Sequence, residues 1–332
     1  MLLRIRQLRD QLASKRPNDL AAMLDSSING QRETIASIRA LLESIASTGD
    51  PNAVDQYRSE FQQLAVKQRV ALSDLQDVVD NAAVELESLE AKADDELTPE
   101  ERIRIGQLNS LLEFVEQGRQ RIGQSRSQLR FRQASRAFRR ASSGLNQLKR
   151  GRDQLRTPLE WIDVILKDTN TLAQETAAMS VAAQSVPGSQ KAFKIPAWID
   201  QQYLSESQAA LTARPGELTL RMQAGLANPP ENASDESADG EFLIKLESAM
   251  PFLTAASESM NRAQNEMDIQ RYTEAATDQT EAIKALQEAR ERFADLRTLI
   301  ELTYRASVEI AETLEHVSYT HLRAHETRYT IA

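Results

Sequence analysis

The chain has 332 residues, 41% hydrophobic but only 5% aromatic, with eleven glycines, ten prolines and no cysteine. That composition suits long, thinly packed helices rather than a thick globular core, and it excludes disulfides, thiolate catalysis and cysteine-held zinc or iron–sulfur centres. A net charge of −9 disfavours nucleic acid as a partner of the whole surface, and no apolar run reaches the roughly 18 residues of a membrane span. The opening residues carry charges where a signal peptide needs an unbroken apolar stretch.

In chain order, residues 1–16 have a helical pattern that ends at Pro17, and Asn18 and Asp19 supply a polar start for the next helix. Ile35, Ile38, Leu42 and Ile45 then recur at three-and-four spacing, as the buried stripe of a packed helix does. A break follows at residues 47–51. Beyond it the seam Phe61, Ala65, Gln68, Leu72, Leu75, Val79, Ala82, Leu86 and Leu89 alternates four and three without a slip, which predicts coiled-coil packing. Thr98, Pro99, Glu100 and Glu101 form a capping-box signature, so a new helix starts there, and the short break predicts an antiparallel hairpin.

No proline interrupts residues 99–156, which predicts one helix of about 85 Å with bends at Gly106, Gly118, Gly123, Gly144 and Gly151. Within it Phe131, Ala134, Phe138, Ala141, Leu145 and Leu148 make a second seam. The capping box recurs at Thr157, Pro158, Leu159 and Glu160, opening a helix with Ile162, Ile165, Leu172 and Met179 on one side. Residues 187–240 hold half the prolines and four glycines, which predicts a connector with one or two short helices and an acidic, apolar-poor linker at 228–240. Residues 241–315 read as a helical hairpin broken near 268–271. Its small residues Ala256 and Ala263 alternate with Met260 and Met267, a pattern similar to one tetratricopeptide-like hairpin; a single copy makes no repeat array.

The fold class that follows is all-α: long amphipathic helices in antiparallel coiled-coil hairpins over 1–186, the connector at 187–240, and a C-terminal helical hairpin at 241–315. Elongation is expected.

Charge is distributed unevenly. Residues 74–96 hold nine acidic side chains and one basic one, whereas residues 119–152 hold eleven basic side chains and no acidic one. On a helix at about 100° per residue, Arg132, Arg136, Arg139, Arg140 and Arg150 crowd the side opposite the apolar seam. That ridge is the candidate binding feature. It either pairs with acidic helices of this chain or of a copy, or it meets an anionic partner such as a phosphate backbone or lipid headgroups. Nucleic acid is disfavoured, because the aromatics lie on the apolar side instead of interleaving with the arginines.

Catalytic motifs are lacking: there is no Gly-rich phosphate loop, no His-Glu-x-x-His and no Gly-x-Ser-x-Gly. No catalytic, metal or cofactor site is expected, and no small-molecule substrate. Trp161 and Trp198 read as packing anchors.

Residues 317–327, Val-Ser-Tyr-Thr-His-Leu-Arg-Ala-His-Glu-Thr, resemble the translation of a transposase adapter used in sequencing libraries. The resemblance implies a non-native tail over 316–332 and a longer gene product. His321 and His325 fall inside it; their four-residue spacing can suit metal on a helix, but no third ligand accompanies them. The Gln-, Arg- and Glu-rich helices of residues 20–185 resemble in composition the helical regions of bacterial envelope proteins, including periplasmic portions attached to some mechanosensitive channels. What this implies is a structural or scaffolding role in the cell envelope, with the chain itself or another helical protein as partner. The alternative is electrostatic binding of nucleic acid or an anionic membrane surface through residues 119–152.

Overall fold

The computed structural model describes residues 19–93, 95–184, 195–227 and 238–293. The adapter-like tail, the N-terminal helical pattern at 1–16 and most of the acidic linker lie outside them. The described residues form eight α-helices and no strand: α1 Leu20–Thr48, α2 Arg58–Glu90, α3 Pro99–Arg130, α4 Ala134–Asp153, α5 Pro158–Gln184, α6 Gln201–Ala227, α7 Ala238–Asp268 and α8 Tyr272–Phe293, with a 3-10 helix over Pro51–Tyr57. The protein is all-α. None of these helices is long and apolar enough to cross a membrane.

Helix starts follow the chemistry of their caps. Asp19 accepts from the Ala22 N–H at 3.1 Å. Thr98 accepts from the Glu101 N–H at 3.3 Å while Glu101 accepts from the Thr98 N–H at 3.2 Å. The same reciprocal pair joins Thr157 and Glu160, so both boxes satisfy backbone donors that a helix start leaves over.

Within α1–α4 and within α5–α8 each helix packs on its sequence neighbour, and α1 closes on α4 while α5 closes on α8. The result is two four-helix bundles, α1–α4 and α5–α8, meeting where α4 touches α6. Leu20, Ile38, Phe61, Leu75, Leu111, Val115, Ile122 and Phe138 fill the first core. Trp161, Ile162, Ile165, Leu218, Leu253, Met260 and Leu286 fill the second. The first core runs on through Leu204, Leu211 and Tyr203 of α6, so the two hydrophobic units share a wall.

Three expectations change. The stretch 99–156 is a hairpin rather than one rod, because residues 131–133 reverse the chain. Arg132 sits at φ 57°, its N–H donates to Leu129 O at 2.9 Å, and the Gln133 N–H donates to Gln128 O at 2.9 Å. This is a Schellman close with arginine where glycine is usual, and it puts Phe131, expected in the seam, 70% exposed at the tip. The turn before α8 repeats the device with Gln270 at φ 64° and Arg271 N–H on Glu266 O at 2.8 Å.

The second change concerns the connector. Residues 201–227 form one helix of 27 residues with Pro215 inside it, and α6 is a full member of the second bundle. Tertiary packing of Leu204, Leu211, Leu218 and Met222 outweighs a proline cost of about 3 kcal/mol. The third concerns grouping: α5 belongs with α6–α8, and the hairpin α7–α8 is half of that bundle rather than a separate unit.

Three of the five glycines of α3 and α4 are contact points, whereas Gly106 and Gly123 meet nothing within 4 Å. Gly118 faces Gly144, Ser125 donates to Ala137 O at 2.9 Å, and Gly151 lies over Leu111. Gly118 and Ser125 on one helix, and Ala137, Gly144 and Gly151 on the other, each recur every seventh residue. Small side chains at that interval let two antiparallel backbones approach closely.

Candidate functional site

The arginine ridge does not form one open face. Arg132 stands in the turn and pairs with Asp55. Arg136 is exposed and donates to Gln133 at 3.1 Å. Arg139 reaches Asp200 at 2.6 Å, Arg140 is half-buried, and Arg150 pairs with Glu217 while stacking over Phe114 at 4.4 Å. Two further members of the basic run behave alike: Lys149 pairs with Asp168 at 2.8 Å and Arg152 with Asp25 at 3.0 Å. Asp168, Asp200 and Glu217 come from the second bundle or its entry, so much of the basic helix α4 forms the junction.

At its centre Arg214 of α6 is 2% exposed. Its Nε donates to Asp153 at 2.7 Å and its Nη1 to Asp168 at 2.6 Å. Arg156 adds a second donor to Asp153 at 2.5 Å. Three cations and two carboxylates therefore interlock helices α4, α5 and α6. Burial opposes the Asp168 charge, but the Lys149 and Arg214 cations outweigh it and hold that carboxyl below its ordinary range. Burial lowers the Lys149 ammonium against the same carboxylate's pull.

A second cluster lies alongside. Arg39 of α1 stacks on Trp198 at 3.7 Å and pairs with Glu175 at 3.5 Å, while Tyr203 donates to Glu175 at 2.9 Å. Trp198, Phe138 and Tyr203 form a three-ring group with centroids 5.0–5.8 Å apart. Burial pushes both the Glu175 carboxyl and the Tyr203 hydroxyl above their ordinary values. Shifted acids in a cleft mark a possible reaction centre. Here Lys149, Asp168, Glu175 and Tyr203 border a cavity of about 120 Å³, space for a few waters, and their polar atoms bond one another.

The Asp168 shift fixes a pH dependence. A carboxyl whose pKa falls on folding stabilises the folded state above its unfolded pKa, and that contribution is lost as pH falls through the folded one. Stability measured by urea unfolding is expected to drop between about pH 5 and about pH 2. In Asp168→Asn the drop should be shallower; an unchanged profile would remove Asp168 from this role.

The open feature is elsewhere. Arg58 and Arg69 of α2, Arg126 and Arg130 of α3, and Arg132 of the turn surround a groove of about 630 Å³ floored by Phe61, Ala65 and Leu129. Among the described residues only Arg132 of these five has a carboxylate partner. Arg58 and Arg69 escape sequence reasoning because they lie outside the basic run and eleven residues apart; only the α2–α3 pairing brings them to Arg126 and Arg130. No group of three or more His, Asp or Glu among the described residues is placed to hold a metal ion.

None of the family models, curated proteins or solved structures compared with the chain matches it.

Proposed function

We propose that this protein is a non-enzymatic scaffold whose long helical surfaces mediate self-association or contact with another helical protein. The observation that carries the reading is where the buried charges go: Lys149, Asp153, Asp168 and Arg214 clasp the two bundles to each other. A buried ionic clasp of that kind specifies a fixed arrangement more than it adds stability, which suits a part that sets the spacing of its surfaces. The heptad spacing of Leu108, Leu111, Val115, Gly118, Ile122, Ser125 and Leu129, all buried, supports coiled-coil-type packing of the α2–α3–α4 hairpins. The cell envelope is the compartment this reading favours, on the compositional resemblance alone.

Sedimentation equilibrium of the purified chain should show reversible association, or crosslinking in its own cells should return a helical protein neighbour. A chain that is monomeric and yields no such neighbour sinks the proposal. A second reading, electrostatic binding of nucleic acid or an anionic membrane through residues 119–152, is favoured by Arg126 and Arg130 in the open groove. Steep salt dependence of DNA or vesicle binding, lost when both become glutamate, would support it.

A further inference from the structure

The first bundle carries opposite charge at its two ends. At one end the arginine groove presents Arg58, Arg69, Arg126 and Arg130, none of them in an ion pair among the described residues. The carboxylates near it are Asp55, already held by Arg132, and exposed Glu60. At the other end, around the α2–α3 connection, Glu87, Glu90, Asp95 and Glu96 are exposed. Lys92 and Arg104 there pair with Glu101 and Glu85, and with Arg102 as the other cation of this region the four make an acidic tip.

The two ends lie along α2, whose 33 residues span about 50 Å. Packed helices of that length cannot fold back, and at physiological salt charges separated by much more than about 8 Å are screened from each other. Tip and groove can therefore meet only between molecules. Apolar side chains accompany both: Phe131 and Val66 are 70% and 51% exposed at the groove end, and Val84 and Ile103 are 63% and 60% exposed beside the Glu85–Arg104 pair.

We propose that copies of this chain associate head to tail, the acidic α2–α3 tip of one copy seating in the arginine groove of the next. This rests on the self-association reading above and names its surfaces. Because the two surfaces differ, the contact is heterologous and propagates into chains or rings instead of stopping at a twofold dimer. Charge complementarity supplies register and association rate, and the exposed apolar side chains supply area removed from water.

Three full-length proteins test it by sedimentation velocity: the native chain, a groove variant with Arg58→Glu, Arg69→Glu and Arg130→Glu, and a tip variant with Glu87→Lys, Glu90→Lys and Glu96→Lys. All the replaced side chains are exposed, and circular dichroism checks that helicity is kept. The native chain should form oligomers that grow with concentration and weaken about tenfold or more between low and high salt. Each variant alone should be monomeric. Mixed in equal amounts, the two variants should associate again, because the native tip of the groove variant meets the native groove of the tip variant and the lysine tip of the second meets the glutamate groove of the first.

Variants that associate as the native chain does, or a mixture that stays monomeric, would overturn the contact while leaving self-association standing. A monomeric native chain would overturn both, leaving another helical protein as partner. A native chain that is monomeric yet binds phosphatidylserine vesicles or duplex DNA through the groove would overturn the proposal in favour of an anionic ligand.

Discussion

Replacing Arg214 by methionine is expected to lower the stability of the protein by about 3–5 kcal/mol, the cost of leaving buried carboxylates without their cation. Arg214 is the centre of the junction, bonded to Asp153 at 2.7 Å and Asp168 at 2.6 Å, and Asp153 is itself fully buried. Methionine keeps most of the side-chain volume, so the loss isolates the charge. Arg156 and Lys149 remain beside the two carboxylates and keep the effect from being larger. The double variant Arg214→Met with Asp153→Leu should be less destabilised than the single one, because the uncompensated charge is removed along with its partner. Urea unfolding of the three proteins checks this. A single variant within about 0.5 kcal/mol of the native chain, the usual range of a neutral surface change, would show that the clasp contributes little.

Gly144→Leu should rank second, with a loss of about 3 kcal/mol or more, and even Gly144→Ala should lose about 1–3 kcal/mol as an overpacked contact does. A Cβ at Gly144 would come within 2.8 Å of Ile122 and 3.2 Å of the Gly118 carbonyl. Backbone cannot swing aside, so α3 and α4 must separate along their shared seam. The control is Gly123→Ala, where a Cβ meets nothing within 4 Å; alanine there should stabilise by about 1 kcal/mol through helix propensity alone. Both substitutions improve propensity equally. If thermal unfolding moved both variants upward, the close approach of the two helices would be wrong.

These two sites show where sequence reading succeeds and where it stops. The seam of α2 was legible in part: Phe61, Ala65, Gln68, Leu75 and Ala82 are buried, Leu72, Val79, Leu86 and Leu89 are half-buried against the core, and buried Leu64 and Val78 lie beside it. The equally regular seam of α3 was not, since Gly118 and Ser125 occupy two of its positions and count as weak or polar letters. The α3–α4 turn was hidden for a related reason: its left-handed residue is Arg132, and arginine gives no warning of a chain reversal. Of the groove arginines only Arg126, Arg130 and Arg132 belong to the basic run, while Arg58 and Arg69 join them through the α2–α3 pairing. The ridge was legible as a charge pattern, yet Arg139 and Arg150 acquire their meaning from Asp200 and Glu217, more than sixty residues away along the chain.

Local chemistry, then, is what the amino-acid order settled without help. Helical class, the caps at Asp19, Thr98 and Thr157, and the apolar stripes all depend on residues within one or two turns of each other, where spacing alone decides which groups meet. The tertiary structure alone decided that the eight helices of the described residues divide into two bundles, that α6 keeps its helix through Pro215, and which glycines touch a backbone. It also decided which arginines are held inside the junction and which stand open in the groove. Those outcomes turn on contacts between distant segments, and the same Gly or Arg takes opposite roles according to what the partner helix brings against it.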